Sequence, residues 1–282
     1  MRLVVQGRAI TMAHLTHIHG LLGSSMQYTQ VGEHAYYLPQ TAFKQAELDV
    51  IKAFCDEQKI DCACMQDTEV FKNFGLCVMD MDSTLISIEC IDEIADMVGI
   101  KPQIAAITER AMLGELDFAQ SLRERVALLK GLKESDLLRV LNERLTLNPG
   151  AVELIEACKK HHIKTLLVSG GFTFFSEKVK AMLGLDYAVS NTLEIIDGKV
   201  TGNILGDIVD AQTKADELTK LRYQLGLTPK QTIAIGDGAN DLKMMAAAGI
   251  GIAYHAKPIV QSQATYALNY VGLEGVVGLL TT

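Results

Sequence analysis

Short apolar runs alternate along much of this chain with segments whose apolar residues recur at helical spacing. Continuous apolar runs are the pattern of strands buried on both faces. They stand at residues 76–79, 164–168, 187–190, 232–235 and 249–253. Helical periodicity marks 151–161, 174–183, 214–225 (with Gly226 as its stop) and 242–248. Two further runs, 193–196 and 199–201, flank Asp197-Gly198, a hairpin turn pair. Alternation of this kind predicts an α/β fold, a doubly wound parallel sheet with helices on both faces. Between the first two strands the pattern stays helical over 101–113, 117–132 and 134–145, until Pro149-Gly150. Ser87 is placed to cap a helix whose first turn holds Glu89, Asp92 and Glu93. The prediction is a helical cap at about 88–148, inserted after the first strand.

Residues 1 to about 70 read as a separate small α+β domain. Strands are expected at 3–6, 26–31, 35–38 and 61–65, with helices at 11–22 and 45–58. Leu48, Ile51, Phe54 and Cys55 share one side of the second helix. The order βαββαβ is that of a ferredoxin-like unit, expected to act as a regulatory module or to mediate a homodimer. His14 and His17 could share a helix face, but no acidic or cysteine partner completes a metal site there.

Composition narrows the partners. With 282 residues, 49% hydrophobic, the chain can bury a large core. A net charge of −8 argues against nucleic acid or an anionic membrane surface as partner. It leaves room for one small phosphorylated molecule. The six cysteines show no framework spacing, which points to a reducing compartment. Neither a signal peptide nor an apolar run of about 18 residues is present, so a cytoplasmic location is expected.

The chemistry concentrates at strand ends. Asp80 and Asp82 follow the first strand, Ser169-Gly170-Gly171 the second, and Gly236-Asp237-Gly238-Ala239-Asn240-Asp241 a later one. In a parallel sheet these ends lie along one edge, where open α/β sheets bind ligands. Paired carboxylates at a buried strand end need compensation, and with main-chain oxygens they suit a hard ion such as Mg²⁺. One carboxylate can attack phosphorus while the other protonates the leaving oxygen. Lys214, a hydroxyl and backbone N–H groups would neutralise the charge that phosphoryl transfer spreads over three oxygens. A calcium loop does not fit, since Leu85 and Ile91 occupy the positions where it needs Gly and Glu. Taken singly, Ser169-Gly170-Gly171 and Gly236-Asp237-Gly238 also read as plain turns, and Lys214 as a surface lysine.

In this combination and order the chain resembles the haloacid dehalogenase superfamily of phosphatases. Asp80-Met81-Asp82-Ser83-Thr84 is similar to its first motif, Ser169 to its second, Lys214 to its third and 236–241 to its fourth. The likeness is nearest to the phosphoserine phosphatase family. Glu89, Ile91-Asp92-Glu93-Ile94, Met112 and the stretch from Phe118 to Arg125 carry it into the cap. It covers residues from about 76 to the end and says little of residues 1–70. The resemblance implies Asp80 as nucleophile and Asp82 as general acid and base. It implies Mg²⁺ on Asp80, the main-chain carbonyl of Asp82, and Asp237. Ser169, Gly170, Lys214 and Asn240 would serve the phosphoryl group, with Asp241 in support. Glu89 and Arg125 would grip the ammonium and carboxylate of O-phosphoserine, with Met112 and Phe118 closing over it.

Pattern alone gives the cap residues ordinary readings as well. Phe118, Leu122, Arg125 and Leu129 share a helix face, so Arg125 is either an anion ligand or a snorkelling edge residue. An acid such as Glu89 in a first turn is favoured by the helix dipole alone. Met112 and Phe118 also suit a cap core. The expected activity is Mg²⁺-dependent hydrolysis of O-phosphoserine, the last step of serine synthesis, through an aspartyl-phosphate. A phosphotransferase on the same fold and a non-catalytic phosphate or amino-acid sensor are the alternatives.

Overall fold

The computed structural model describes residues 1–23, 27–39 and 43–282. Its first sheet is built from β1 (Arg2–Gln6), α1 (Met12–Leu22), β2 (Thr29–Gln30), β3 (Ala35–Pro39), α2 (Gln45–Glu57) and β4 (Asp61–Met65). The strands run antiparallel in the order β2-β3-β1-β4, the ferredoxin-like arrangement. Of the strand expected at 26–31, residues 29–30 pair with β3, and Met26 lies outside the described residues. Side chains alternate across the sheet: Leu3 and Val5 meet Leu15, Ile18 and Ile51 under the helices, while Val4 joins the larger core on the other side. His14 accepts the Thr11 N–H at the start of α1, and His17 packs on the Phe54 ring at 4.3 Å.

The first sheet is tied to the second. The buried Asp61 carboxylate accepts three N–H groups, from Asn269, Tyr270 and Val271, at 2.7–3.0 Å. Arg2 donates to the carbonyls of Gln66, Glu69 and Leu279. The Asp61 carboxylate and the two terminal guanidinium nitrogens of Arg2 are thus compensated, while the buried Arg2 Nε has no partner among the described residues.

In chain order the rest comprises β5 (Leu76–Met79), the cap helices α3 (Cys90–Met97), α4 (Lys101–Met112), α5 (Phe118–Ala127) and α6 (Glu134–Glu143), then α7 (Ala151–Lys160), β6 (Lys164–Phe172), α8 (Thr173–Leu183), β7 (Tyr187–Ile196), β8 (Lys199–Leu205), α9 (Ala211–Gln224), β9 (Thr232–Gly236), α10 (Leu242–Ala247), β10 (Ile250–Tyr254), α11 (Pro258–Gln261), β11 (Tyr266–Leu268) and α12 (Glu274–Leu280). The seven strands order as β11-β10-β9-β5-β6-β7-β8, parallel except for β8. β5 is therefore central, with β6 and β9 beside it, and the three strand ends that carry polar motifs are neighbours. No helix among the described residues is long and apolar enough to cross a membrane, and all six thiols are free.

Three local expectations are corrected. The runs at 187–190 and 193–196 form one strand, β7, and β8 reaches Leu205; Asp197 and Gly198, both at positive φ, close the hairpin. The helix expected to reach 132 stops at Ala127, because the chain beyond it pairs with the hairpin: Gly131 N–H donates to the Val200 carbonyl, and Val200 N–H to that of Leu132, both at 2.8 Å. Ser87 does not cap α3. Glu89 holds that position, and the Ser87 hydroxyl pairs with that of Thr146 at 2.6 Å. With Asn148 N–H on the Leu85 carbonyl, this clamps together the two passages of chain that enter and leave the cap.

Candidate active site

Asp80 is the first residue past β5, and its own N–H is pinned to the Ile235 carbonyl of β9. One carboxylate oxygen accepts the Met81 N–H at 2.7 Å. The other lies 2.8 Å from Lys214 Nζ and 3.4 Å from the Asn240 amide nitrogen, which donates to it. Lys214 bridges onward to Asp241 Oδ1, also at 2.8 Å. Asp80, Lys214 and Asp241 are 4%, 1% and 0% exposed, so this is a dry ion network. Asp241 Oδ2 accepts the Gly238 N–H, and a side chain at Gly236 would collide with that carboxylate. The two carboxylates outweigh the burial of Lys214 and raise its pKa, so the ammonium stays charged. Burial and the charge of Asp80 push Asp241 upward, and Lys214 pulls it back.

Asp237 joins from the end of β9, held by a 3.0 Å hydrogen bond from the Thr84 hydroxyl. Asp80, Asp237 and Asp241 each offer a carboxylate oxygen within 4.8 Å of the others. Three carboxylate oxygens brought to one point are the hard-oxygen donor set that Mg²⁺ takes. The charge fits too. Three carboxylates face one lysine, and burial plus the repulsion of Asp80 raises the pKa of Asp237. This donor set can hold a divalent cation. The side-chain carboxylate of Asp82 is not among the three.

Asp82 instead accepts the Cys90 N–H, at the start of α3, over 3.3 Å. Burial first, then the nearby Glu89 and Asp80 charges, push its pKa up to about 8. It therefore holds a proton at neutral pH, as a general acid requires. Gly171 makes room for it: a Cβ there would stand 2.7 Å from Asp82 Oδ2. The same glycine donates its N–H to Ser169 Oγ at 2.9 Å, which leaves the Ser169 hydroxyl hydrogen free for another acceptor. A break in the β6–β7 register between Ser169 and Phe172 leaves Gly170 and Gly171 out of the ladder.

Across a cavity of about 530 Å³ stands the cap. Glu89, Met112, Phe118, Ser121 and Arg125 line it together with Asp80, Asp82, Ser169, Gly170, Lys214, Asp237 and Asn240. All the sequence-expected site residues but Asp241 thus share one cleft, and Asp241 lies behind Lys214. Glu89 is open to solvent and accepts the Ser83 hydroxyl at 2.6 Å; burial of its carboxyl against the cleft raises its pKa. Among the described residues Arg125 donates only to the Ser121 carbonyl of its own helix and forms no ion pair. Burial lowers its pKa, while Asp92 and Glu89 oppose that. Met112 is 78% and Phe118 39% exposed; they form the rim and do not cover it. The ordinary reading of these two as cap core is not what the structure has.

Several contributors carried no signal in the sequence. The buried Asn191 of β7 donates to the Gly170 carbonyl at 2.8 Å and accepts the Val209 N–H at 2.9 Å, bracing two loops of the cleft. The Asn148 amide donates to the carbonyls of Ser83, Thr84 and Ile86. Both are polar residues in otherwise unremarked stretches, and only the tertiary structure reveals their partners. Thr84 and Gly171 did lie inside the motifs, but their roles depend on distances across the sheet edge.

A buried aspartate at a central strand end, a lysine–carboxylate network and an inserted helical cap define a class of phosphoryl-transfer enzymes. The chain belongs to the haloacid dehalogenase-like hydrolases, whose family model matches residues 77–246. Its relatives include the phosphoserine phosphatase of Vibrio cholerae, 52% identical over 223 residues, or 79% of this chain and 68% of that one. The unliganded crystal structure of a probable phosphoserine phosphatase from the same organism superposes with a TM-score of 0.86 at 43% identity, covering 99% of this chain and 86% of that one. A substrate-bound phosphoserine phosphatase complex superposes at 0.68 with 38% identity, covering 74% of this chain and 99% of the other.

Proposed function

We infer that this protein hydrolyses O-phosphoserine to serine and inorganic phosphate, with Mg²⁺ as cofactor. The observation that carries the reading is the pairing, in one cleft, of a fixed buried carboxylate at a strand end with an acid and an arginine that has no ion pair among the described residues, both on the facing cap. The first is a phosphoryl acceptor; the second pair matches the ammonium and carboxylate of an amino acid. Relatives named phosphoserine phosphatase support the same substrate.

Asp80, Asp237 and the main-chain carbonyl of Asp82 would hold Mg²⁺, which supplies charge neutralisation for the transferring group. The Asp80 carboxylate attacks phosphorus and displaces the serine oxygen, which takes its proton from Asp82. Lys214, the Ser169 hydroxyl and the Gly170 N–H neutralise the phosphoryl oxygens, and Asn240 orients Asp80. The product of this step is serine and an aspartyl-phosphate on Asp80. Asp82, now a carboxylate, takes a proton from water as that water attacks phosphorus. Phosphate leaves and Asp80 is regenerated. Serine synthesis in the cytoplasm is the setting this activity fits, and the six free thiols support that location.

Purified protein with Mg²⁺ and O-phosphoserine should release one phosphate per serine formed. Phosphate retained on an added alcohol would mark a phosphotransferase, and no turnover at all would leave only a binding role.

A further inference from the structure

Ser83 is the one residue between Asp82 and Glu89 whose backbone lies in the left-handed region, at φ 56 and ψ −5. Serine adopts this conformation rarely, and glycine would adopt it freely. The turn is held from outside: Asn148 donates to the Ser83 carbonyl at 3.2 Å, and the Ser83 N–H donates to the Ile88 carbonyl at 3.2 Å. What serine has and glycine lacks is the hydroxyl. Among the described residues its partner is the carboxylate of Glu89, at 2.6 Å. A backbone outlier beside a cleft, kept for one directed hydrogen bond, points to function and not to stability.

We propose that Ser83 is a positioning residue for substrate selection: its hydroxyl fixes the Glu89 carboxylate to receive the ammonium group of the substrate. This rests on the O-phosphoserine reading, and it adds a specific route to that selectivity. Glu89 sits at a helix N-cap without a side-chain capping bond of its own. Nothing on its own helix therefore fixes its rotamer, and the donor from Ser83 does. One carboxylate oxygen is then occupied, which leaves the other for the ammonium. Asn148, by holding the Ser83 carbonyl from the far passage of the cap, ties this arrangement to the cap's attachment.

The test compares O-phosphoserine with its desamino analogue, 3-phosphooxypropionate, in wild type and in Ser83→Gly and Ser83→Ala. Ser83→Ala removes the hydroxyl alone, and Ser83→Gly removes the hydroxyl with its Cβ but keeps the left-handed turn comfortable, so Ser83→Gly reads the hydrogen bond even where Ser83→Ala folds poorly. The expected result is KM for O-phosphoserine raised roughly tenfold, kcat changed by no more than about twofold, and KM for the analogue unchanged. Equal losses on both substrates, or no change on either, would overturn the role of Ser83 and leave the substrate assignment standing. A wild type that treats the two substrates alike would overturn the substrate assignment, and the role of Ser83 with it.

Discussion

At the strand ends Asp80, Lys214 and Asp241 are at most 4% exposed and joined at 2.8 Å. Across the same cleft Phe118 and Met112 stand 39% and 78% exposed, and among the described residues Arg125 has one hydrogen bond, to its own helix. In the floor Lys214 is answered by two carboxylates, and Asp237 adds a negative charge that a divalent cation would answer. On the cap side Arg125 has no ion-pair partner among the described residues, and Glu89 is held by a hydroxyl and not by a cation. Groups that are already paired and desolvated lose little reorganisation energy when the reaction occurs. Groups left open gain their partners only when a substrate arrives, so they govern which substrate is held. Substitutions in the floor should therefore lower kcat, and those in the cap should raise KM.

Asp80→Asn breaks the floor most severely. The amide is isosteric but cannot attack phosphorus, and turnover should fall by about 10⁴-fold or more. Phosphate release measured under single turnover checks this; substantial retained activity would remove Asp80 as nucleophile. Lys214→Met comes next. It leaves two buried carboxylates facing each other without their cation, at a cost of about 3–5 kcal/mol in the metal-free protein. Urea denaturation without and with Mg²⁺ should show that loss and its partial recovery, because a divalent ion restores positive charge to the same cluster. Turnover should also drop by about 10²–10³-fold.

The floor was legible in the sequence and the wall only in part. Asp80, Ser169 and Asp237 follow apolar runs, and a parallel sheet must bring the ends of adjacent strands together, so period and order were enough. Lys214 comes from a helix, yet that helix starts at the same sheet edge. Arg125 was ambiguous for a physical reason: a helical face cannot tell a ligand from a snorkelling side chain until the opposite surface is known. The end of α5 was misjudged because its competitor, the backbone of β8, lies some 70 residues away. Ser87 illustrates the same limit: it is a good cap by type, but Thr146 lies closer to its hydroxyl than any N–H of α3. The first sheet's topology followed from its alternation, whereas its attachment through Asp61 and Arg2 depends on loops whose positions no local pattern encodes.

On the cap side Arg125→Ala should raise KM for O-phosphoserine by roughly 10²-fold with kcat changed far less, since a fork-shaped pairing to a carboxylate is lost. Arg125→Lys keeps the charge without the fork and should recover only part of it. A kcat loss as large as the KM increase would instead assign Arg125 to the chemical step and break the contrast between the two sides.

Asp82 sits where floor and cap meet, and its pH response sharpens the comparison. With its pKa pushed up from 3.8 to about 8, it is protonated at pH 7 and loses its proton as pH rises through about 8. The step that needs a general acid should weaken there, so kcat/KM should fall about tenfold per pH unit above that point. Asp82→Asn should lower activity and erase that limb. Stability carries the same sign. The folded protein keeps a proton that the unfolded chain releases above 3.8, so this group's contribution is full at low pH and is lost as pH rises towards about 8. Thermal denaturation of the metal-free protein across that window checks it, with Asp82→Asn as the flat control.

The smallest effect is expected where cap and floor nearly touch. A Cβ on Gly170 would stand 3.1 Å from Phe118 Cζ, so the phenyl edge overlies the backbone that is to receive the phosphoryl group. Phe118 begins α5 just after its Asp117 cap, and being 39% exposed it holds little of the core. Phe118→Ala should leave stability within about 0.5 kcal/mol. What it removes is the ring edge packed at the Gly170 backbone, so KM should rise a few-fold and kcat should fall by less than about tenfold. Gly170→Ala tests the same contact from the floor. Its methyl group must displace the ring, and the ring, exposed and at a helix start, has room to move. If Gly170→Ala is as mild as Phe118→Ala and the double variant is no worse than either, the two residues act through one contact. Fully additive losses would mean that floor and cap are independent at this point, and that Phe118 serves the substrate alone.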